Sequence, residues 1–105
     1  QLARALDGVD PAELYFFVVA YEPVWAIGTG EVCDADEANR MASVIRKALG
    51  DLLDQDVAQE IRILYGGSLK AANCAEIFQQ TEIDGGLVGG ASLDPHEFSR
   101  IVMSA

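Results

Sequence analysis

Residues 15–21 have the sequence YFFVVAY, an unbroken run of aromatic, β-branched and small apolar side chains. A strand with one face in water alternates apolar and polar residues, whereas a strand buried on both faces is apolar throughout. The run therefore predicts a parallel β-strand from Tyr15 to Tyr21 that is covered on both faces. Upstream of it, residues 1–9 predict the end of a preceding helix, so we expect the chain to begin partway through a larger protein.

A helix with one buried face is predicted after this strand and a loop that contains Pro23 and two glycines. Asp34 followed by Glu37 is the capping-box pattern for the start of a helix. Apolar residues then recur with the spacing i, i+3, i+4 and i+7, at Ala38, Met41, Ala42, Ile45, Ala48, Leu49 and Leu52. Together these features predict one strand–loop–helix unit.

The same order of strand, glycine-containing turn and helix recurs twice downstream. The predicted segments are strand 61–65, turn 66–68, helix 71–80, strand 86–88, turn 89–90 and a helix that begins near Asp94-Pro95. Three successive units predict an α/β fold in one domain, residues 1–105, with a parallel sheet and right-handed crossovers. Periodicity alone does not separate an arc of a (β/α)8 barrel from an open doubly wound sheet.

Composition and charge argue against several classes of function. The 17 acidic and 7 basic residues give a net charge of −10, and no basic cluster is present, so we expect no nucleic-acid partner. The apolar stretches are much shorter than the ~20 residues of a membrane-spanning helix, so we expect no membrane association. Cys33 and Cys74 form no CxxC pair, and no His, Asp and Glu residues have the spacing of metal ligands. We therefore expect no metal, no cofactor and a reducing, cytoplasmic location.

Each predicted strand is followed by a turn that contains glycine, at residues 28–30, 66–68 and 89–90. Ligands of parallel α/β folds bind at the carboxyl ends of the strands. Backbone N–H groups beside glycine and at helix N-termini bind phosphate groups without needing lysine. One such turn alone favours an ordinary turn that needs a positive φ, but three converging turns shift the balance towards an anion site.

Glu22 follows the first strand directly and precedes Pro23. At this place a carboxylate faces the mouth of the sheet, and partial desolvation there makes it a better proton acceptor. The next residues, 23–30, are apolar but loop-like, which is typical of a lid that covers an active site. The sequence therefore favours Glu22 as a general base over an ordinary exposed acid.

Three blocks of sequence resemble the triosephosphate isomerase family, in that family's order. They are AYEPVWAIGTG (Ala20–Gly30), YGGSLKAAN (Tyr65–Asn73) and IDGGLVGGASL (Ile83–Leu93). The resemblance implies a (β/α)8 TIM barrel, of which this chain covers about the last three βα units, strands six to eight. It also implies a homodimeric, cytoplasmic enzyme of glycolysis and gluconeogenesis that acts without a cofactor or metal on a small phosphorylated triose.

The resemblance further implies a role for individual residues. Glu22 would move a proton between adjacent carbons of dihydroxyacetone phosphate and glyceraldehyde 3-phosphate through an enediolate. Tyr65 would hold the closed lid, and Leu87 would pack over the base. The substrate phosphate would bind at Gly28, Ser68, Gly89 and Gly90. The lid would comprise Pro23, Val24, Trp25, Ala26, Ile27, Gly28, Thr29 and Gly30.

The chain also departs from the family pattern. The second lid hinge is usually lysine–threonine–alanine, but here it is Glu31-Val32-Cys33, which bears on the kinetics of closing. The family's catalytic lysine and histidine, and the asparagine beside that lysine, belong to the first half of the barrel and have no counterpart here. The one histidine, His96, is interpreted as a solvated surface residue. We therefore expect little or no activity from this chain alone.

Three alternatives to an isomerase remain open at this point. The first is a non-catalytic half-barrel module that binds phosphate, because the anion-binding turns are complete and the catalytic set is not. The second is a structural βα oligomer whose arcs associate to close a barrel. The third is an open-sheet enzyme, which three unbroken units disfavour because they show no switch point.

Overall fold

The computed structural model describes residues 1–105 apart from the side chain of Tyr15. Its helices and strands are, in chain order, α1 Leu2–Ala5, β1 Val18–Tyr21, α2 Ala35–Leu52, α3 Gln55–Glu60, β2 Arg62–Tyr65, α4 Cys74–Phe78, β3 Gly85–Gly86 and α5 Pro95–Ser104. Short 3₁₀ helices span Pro11–Phe16, Val24–Ala26 and Gly90–Leu93. In this described part of the chain, no helix has both the length and the apolar character needed to cross a membrane.

The strands form one parallel sheet in the order β1-β2-β3. In its register Tyr21 pairs with Tyr65, and Tyr65 pairs with Gly86. The pairing continues just past the strands, because Gly66 N donates to Tyr21 O at 2.8 Å and Leu87 N donates to Tyr65 O at 2.8 Å. The carboxyl ends of all three strands therefore lie at one edge of the sheet, as the sequence predicts.

The first strand is shorter than predicted and is covered on one face only. It begins at Val18, because Asp10 Oδ1 accepts from Ala12 N at 3.0 Å and starts the 3₁₀ helix Pro11–Phe16. Tyr15 lies in that helix, and its side chain is outside the described set. Val19 is buried, but Val18 remains 44% exposed. The expectation of burial on both faces was therefore wrong for this chain.

The core lies between one face of the sheet and the helices. Its main contributors are Val19, Ile63 and Tyr65 from the strands, Ala38, Ala42 and Leu49 from α2, Ile77 from α4 and Ile101 from α5. The predicted stripe of α2 is confirmed in Ala38, Ala42 and Leu49, which are fully buried. This packing places every helix start that follows a strand at the same edge as the strand ends.

The other differences from the sequence prediction concern where helices and strands begin and end. Asp34 Oδ1 accepts from Glu37 N at 2.8 Å, but the Glu37 carboxylate binds Arg40, so only half of the capping box forms. Helix α3 was not predicted, although Asp54 caps it by accepting from Asp56 N and Val57 N. The predicted helix 71–80 is limited to Cys74–Phe78, and the third strand comprises Gly85–Gly86 instead of 86–88.

Arg46 is the buried charged residue at the centre of this arrangement. From α2, its guanidinium donates to the carbonyl oxygens of Ala58 at 2.8 Å and Ile61 at 3.0 Å. It also donates to the carboxylates of Glu82 at 2.7 Å and Asp84 at 2.9 Å. One side chain therefore connects α2 to the segments that precede β2 and β3.

We expect Arg46→Met to lower the free energy of unfolding by about 3 kcal/mol, because it leaves buried carbonyl groups and two carboxylates without their cation. Urea unfolding followed by circular dichroism measures this loss. The matched control is Arg40→Met, because its pair with Glu37 is exposed to water and should contribute little to stability. Equal losses in the two variants would show that the Arg46 network does not hold the fold.

Candidate active site

A cavity of about 620 Å³ opens at the carboxyl edge of the sheet. The structure brings together around it six of the residues singled out from the sequence: Glu22, Gly28, Ser68, Leu87, Gly89 and Gly90. Ala26 and Ile27 of the predicted lid also line it. Residues from three separate strand ends therefore face one space.

Glu22 stands at the end of β1, beside the turn that follows β2. A Cβ built on Gly66 would lie 2.6 Å from Cγ of Glu22, so only glycine leaves room for this side chain where it lies. Glu22 is exposed, so the expected partial desolvation of its carboxylate is not seen. The residues that follow it are also open to water, because Val24 is 83% exposed and Trp25 is 48% exposed.

The predicted lid, residues 23–30, is anchored at a few points only. Pro23 and Ala26 are buried, and the residues between them form a short 3₁₀ helix. Thr29 Oγ1 donates to Trp25 O at 2.8 Å and accepts from Glu31 N at 3.1 Å. Gly28 and Gly30 have φ values of +65° and +76°, which other residues rarely adopt. The segment is thus a compact loop with an exposed apolar surface.

Tyr65, the last residue of β2, is buried, and its hydroxyl has no hydrogen-bond partner among the described residues. The hydroxyl lies beside Gly67, at a position where any side chain on that residue would overlap it. Burial raises the pKa of Tyr65 to about 12, and the nearby Cys33 thiol adds to the rise. Cys33 is the last residue of the predicted second lid hinge, so the hydroxyl lies close to the base of the predicted lid.

The two glycine turns that follow β2 and β3 are held from within. Asn73 Oδ1 accepts from Lys70 N at 2.7 Å, and Asn73 Nδ2 donates to Ser68 O at 2.9 Å. In the second turn Gly89 O accepts from Ser92 N at 2.9 Å. These bonds leave the backbone at Gly89 and Gly90 exposed to the cavity. Both turns thus present backbone to the space that Glu22 faces.

Sequence reasoning missed three charged residues that line the cavity: Lys70, Asp94 and Glu97. Lys70 supplies a positive charge, although the predicted phosphate site did not need lysine. Asp94 caps α5 by accepting from His96 N at 2.9 Å and Glu97 N at 3.3 Å. The Asp94-Pro95 pattern signalled the cap, but nothing in the sequence placed it in the cavity.

Other predicted residues lie outside this cavity. Pro23, Val24 and Trp25 line a second groove of about 980 Å³ between β1, α1 and α2. His96 is exposed at the start of α5 and is absent from the cavity lining. Over the residues that the structure describes, no group of His, Cys, Asp and Glu side chains is arranged to hold a metal ion.

The arrangement has two parts. One is the exposed carboxylate of Glu22, and the other is a set of backbone N–H groups at the starts of helical segments. A carboxylate beside a carbonyl-containing ligand acts as a general base, and helix N-termini favour anions. The cavity therefore combines a group that could act as a base with backbone that could bind an anion.

Comparison with known proteins assigns the family. The family model described as triosephosphate isomerase matches residues 1–105. The triosephosphate isomerase of Lactobacillus gasseri is 49% identical over 102 residues, which are 97% of this chain and 41% of that protein. The enzyme of Synechococcus sp. strain JA-2-3B'a(2-13) is 57% identical over 102 residues, 97% of this chain and 37% of that protein. The enzyme of Corynebacterium glutamicum is 50% identical over 105 residues, the whole of this chain and 40% of that protein.

This chain spans about two-fifths of the length of the curated relatives it matches. Within that span the similarity is continuous and includes every turn that lines the cavity. The chain belongs to the triosephosphate isomerase family.

Proposed function

We propose that this chain provides the base and the phosphate-binding loops of a triose-phosphate isomerase, which interconverts dihydroxyacetone phosphate and glyceraldehyde 3-phosphate. The observation that carries the proposal is the shared cavity, where Glu22 faces the turns that contain Ser68 and Gly89-Gly90. Family membership supports the reaction type.

In this proposal Glu22 is the general base. It removes a proton from the carbon next to the substrate carbonyl and returns it to the neighbouring carbon, with an enediolate between the two steps. Gly66 supports this role, because its missing side chain leaves the space that Glu22 occupies. The exposed carboxylate becomes a stronger base when the lid closes and removes water from it.

The phosphate of the substrate binds to backbone N–H groups of Gly28, Ser68, Gly89 and Gly90. An acidic chain with a net charge of −10 benefits from this arrangement, because oriented N–H dipoles attract an anion locally. Lys70 lines the same cavity and adds a positive charge. Binding energy from the phosphate then holds the reacting carbons against the base.

Closure of residues 23–30 is the step that protects the intermediate. The exposed Val24, Trp25 and Ile27 gain apolar contacts when the lid covers the substrate. Tyr65 offers its unpartnered hydroxyl to the second hinge, and Leu87 covers the base. An enediolate open to water loses its phosphate group, so closure directs the reaction to isomerisation.

We place the chain as the last three βα units of a (β/α)8 barrel, in a homodimeric, cytoplasmic enzyme of glycolysis and gluconeogenesis. Family membership supports the barrel, and the parallel order β1-β2-β3 fits an arc of it. The two unpaired thiols, Cys33 and Cys74, fit a reducing compartment. The substrate is a triose phosphate, and neither a cofactor nor a nucleic acid or membrane takes part.

Reconstitution tests the proposal. The chain is expressed alone and together with the amino-terminal part of the Corynebacterium glutamicum relative, and interconversion of the two triose phosphates is assayed. We expect turnover after reconstitution and little from the chain alone, because the 105 residues contain no counterpart of the family's lysine and histidine, which polarise the substrate carbonyl.

We expect Glu22→Asp to lower kcat by about 100-fold in the reconstituted enzyme, because shortening the side chain moves the carboxylate by roughly 1 Å from the reacting carbon. Steady-state kinetics measure this change. Glu60→Asp is the matched control, since it makes the same change at Glu60, which is exposed before β2, at the opposite edge of the sheet. If the barrel reconstitutes but shows no turnover, the non-catalytic phosphate-binding module is the better account.

We expect Tyr65→Phe to lower kcat by about 10-fold and to increase the release of inorganic phosphate from substrate, because the lid loses one hydrogen bond in its closed state. Isomerisation and phosphate release are measured in parallel. Tyr21→Phe is the control, because it makes the same change on the neighbouring strand, 6.5 Å between ring centroids from Tyr65, at a ring that is only partly buried. Unchanged phosphate release in Tyr65→Phe would exclude the hydroxyl from closure.

A further inference from the structure

Glu97 joins two parts of the cavity that are far apart in sequence. Its Oε1 atom accepts from Ala71 N at 2.7 Å, across 26 residues. Glu97 belongs to the first turn of α5, and Ala71 follows the turn after β2. Glu97 lines the cavity from α5, and its bond reaches the backbone directly after residues 66–70, a second segment that lines the cavity.

The bond to Glu97 completes the anchoring of residues 66–71. Asn73 fixes Ser68 and Lys70 from the carboxyl side of this segment, through the bonds to Ser68 O and Lys70 N. Glu97 fixes Ala71 from α5, the helix that follows Gly89-Gly90. Beyond the strand pairing of Tyr65 with Gly86, the Glu97 carboxylate therefore adds a side-chain tie between the segment that contains Ser68 and the helix that follows Gly89-Gly90.

Glu97 is unfavourable for binding an anion if charge alone is considered. Its carboxylate lines the same cavity as the proposed phosphate site, and Asp94 adds a second negative charge. Asp94 has a separate function as the cap of α5, where it accepts from two backbone N–H groups. The bond that Glu97 accepts from Ala71 N is a structural role for this carboxylate, which its unfavourable charge does not provide.

We propose that Glu97 is a positioning residue, which holds the two phosphate-binding turns at a fixed separation while its charge weakens anion binding. A backbone N–H bonded to a carboxylate makes a stronger tie than one bonded to a neutral oxygen. The anion part of this inference rests on the proposed function, whereas the tie itself rests on the 2.7 Å bond.

Three substitutions of Glu97, made in the reconstituted barrel, separate the effect of its hydrogen bond to Ala71 N from the effect of its charge. Glu97→Gln removes the charge but keeps an oxygen that reaches Ala71 N. Glu97→Asp keeps the charge but is too short to make the bond. Glu97→Ala removes both. Should Glu97→Ala fail to fold, the Gln and Asp variants, which both keep a polar side chain, carry the comparison.

The first measurement is hydrogen exchange at the Ala71 amide, which does not depend on any activity. We expect protection in the unchanged protein and in Glu97→Gln, and its loss in Glu97→Asp and Glu97→Ala. The second is titration with inorganic phosphate at low salt. We expect affinity to fall about tenfold in Glu97→Asp, as the loss of a charge-assisted hydrogen bond implies, and only about threefold in Glu97→Ala, where removal of the repulsive charge offsets part of that loss. In Glu97→Gln it should rise about threefold, since one repulsive charge is gone.

Glu60→Gln makes the same chemical change at the opposite edge of the sheet and should alter neither measurement. If Glu97→Gln matches Glu97→Ala in both measurements, or if Ala71 exchange is the same in every variant, the positioning role is wrong. If exchange changes as expected but phosphate binds none of the proteins, the tie stands and the proposed function fails.

Discussion

The guanidinium of Arg46 is the contact on which the arrangement of the strands depends. Asp84 Oδ2 accepts from Arg46 at 2.9 Å and from Ile63 N at 2.8 Å, so one carboxylate joins α2 to β2 just before β3 begins. The same guanidinium binds the carbonyl groups that end α3. Because these bonds fix the amino ends of β2 and β3, the carboxyl ends of the strands are brought level at the opposite edge, where the cavity lies.

The second constraint on the site is the close approach of side chains to the backbone of Gly66 and Gly67. Gly66 and Gly67 have no side chains, and the space this leaves is filled by Glu22 and by the Tyr65 hydroxyl respectively. Each glycine therefore acts on a different functional group, one on the proposed base and one on the proposed lid contact. Two adjacent residues without side chains thus set the positions of groups that come from two different strands.

Local patterns predicted the parts of this molecule that depend on local physics. The apolar stripe of α2 follows from helical spacing, and the start of α5 near Asp94-Pro95 follows from the suitability of proline for the first helical turn. The prediction of a strand over the whole of residues 15–21 was wrong. Apolar character alone does not distinguish a strand from the 3₁₀ helix that Asp10 starts. The bond from Glu97 to Ala71 has no sequence signal, because 26 residues and a strand separate the two. The exposure of Glu22 depends on the three-dimensional positions of the residues around it, such as Val24 and Trp25. The spacing of residues in the sequence does not determine those positions.

The span of the Arg46 bonds also has a consequence for how the chain is made. Arg46 leaves the ribosome 38 residues before Asp84, its more distant partner. At about 5 to 20 residues per second, this is a delay of roughly 2 to 8 s. During that delay the Arg46 guanidinium lacks its Asp84 partner, and β3 and α5, which complete the core, are not yet made. The nascent chain therefore has a window of exposure in which chaperones compete with misassembly, and that window closes only when Asp84 emerges.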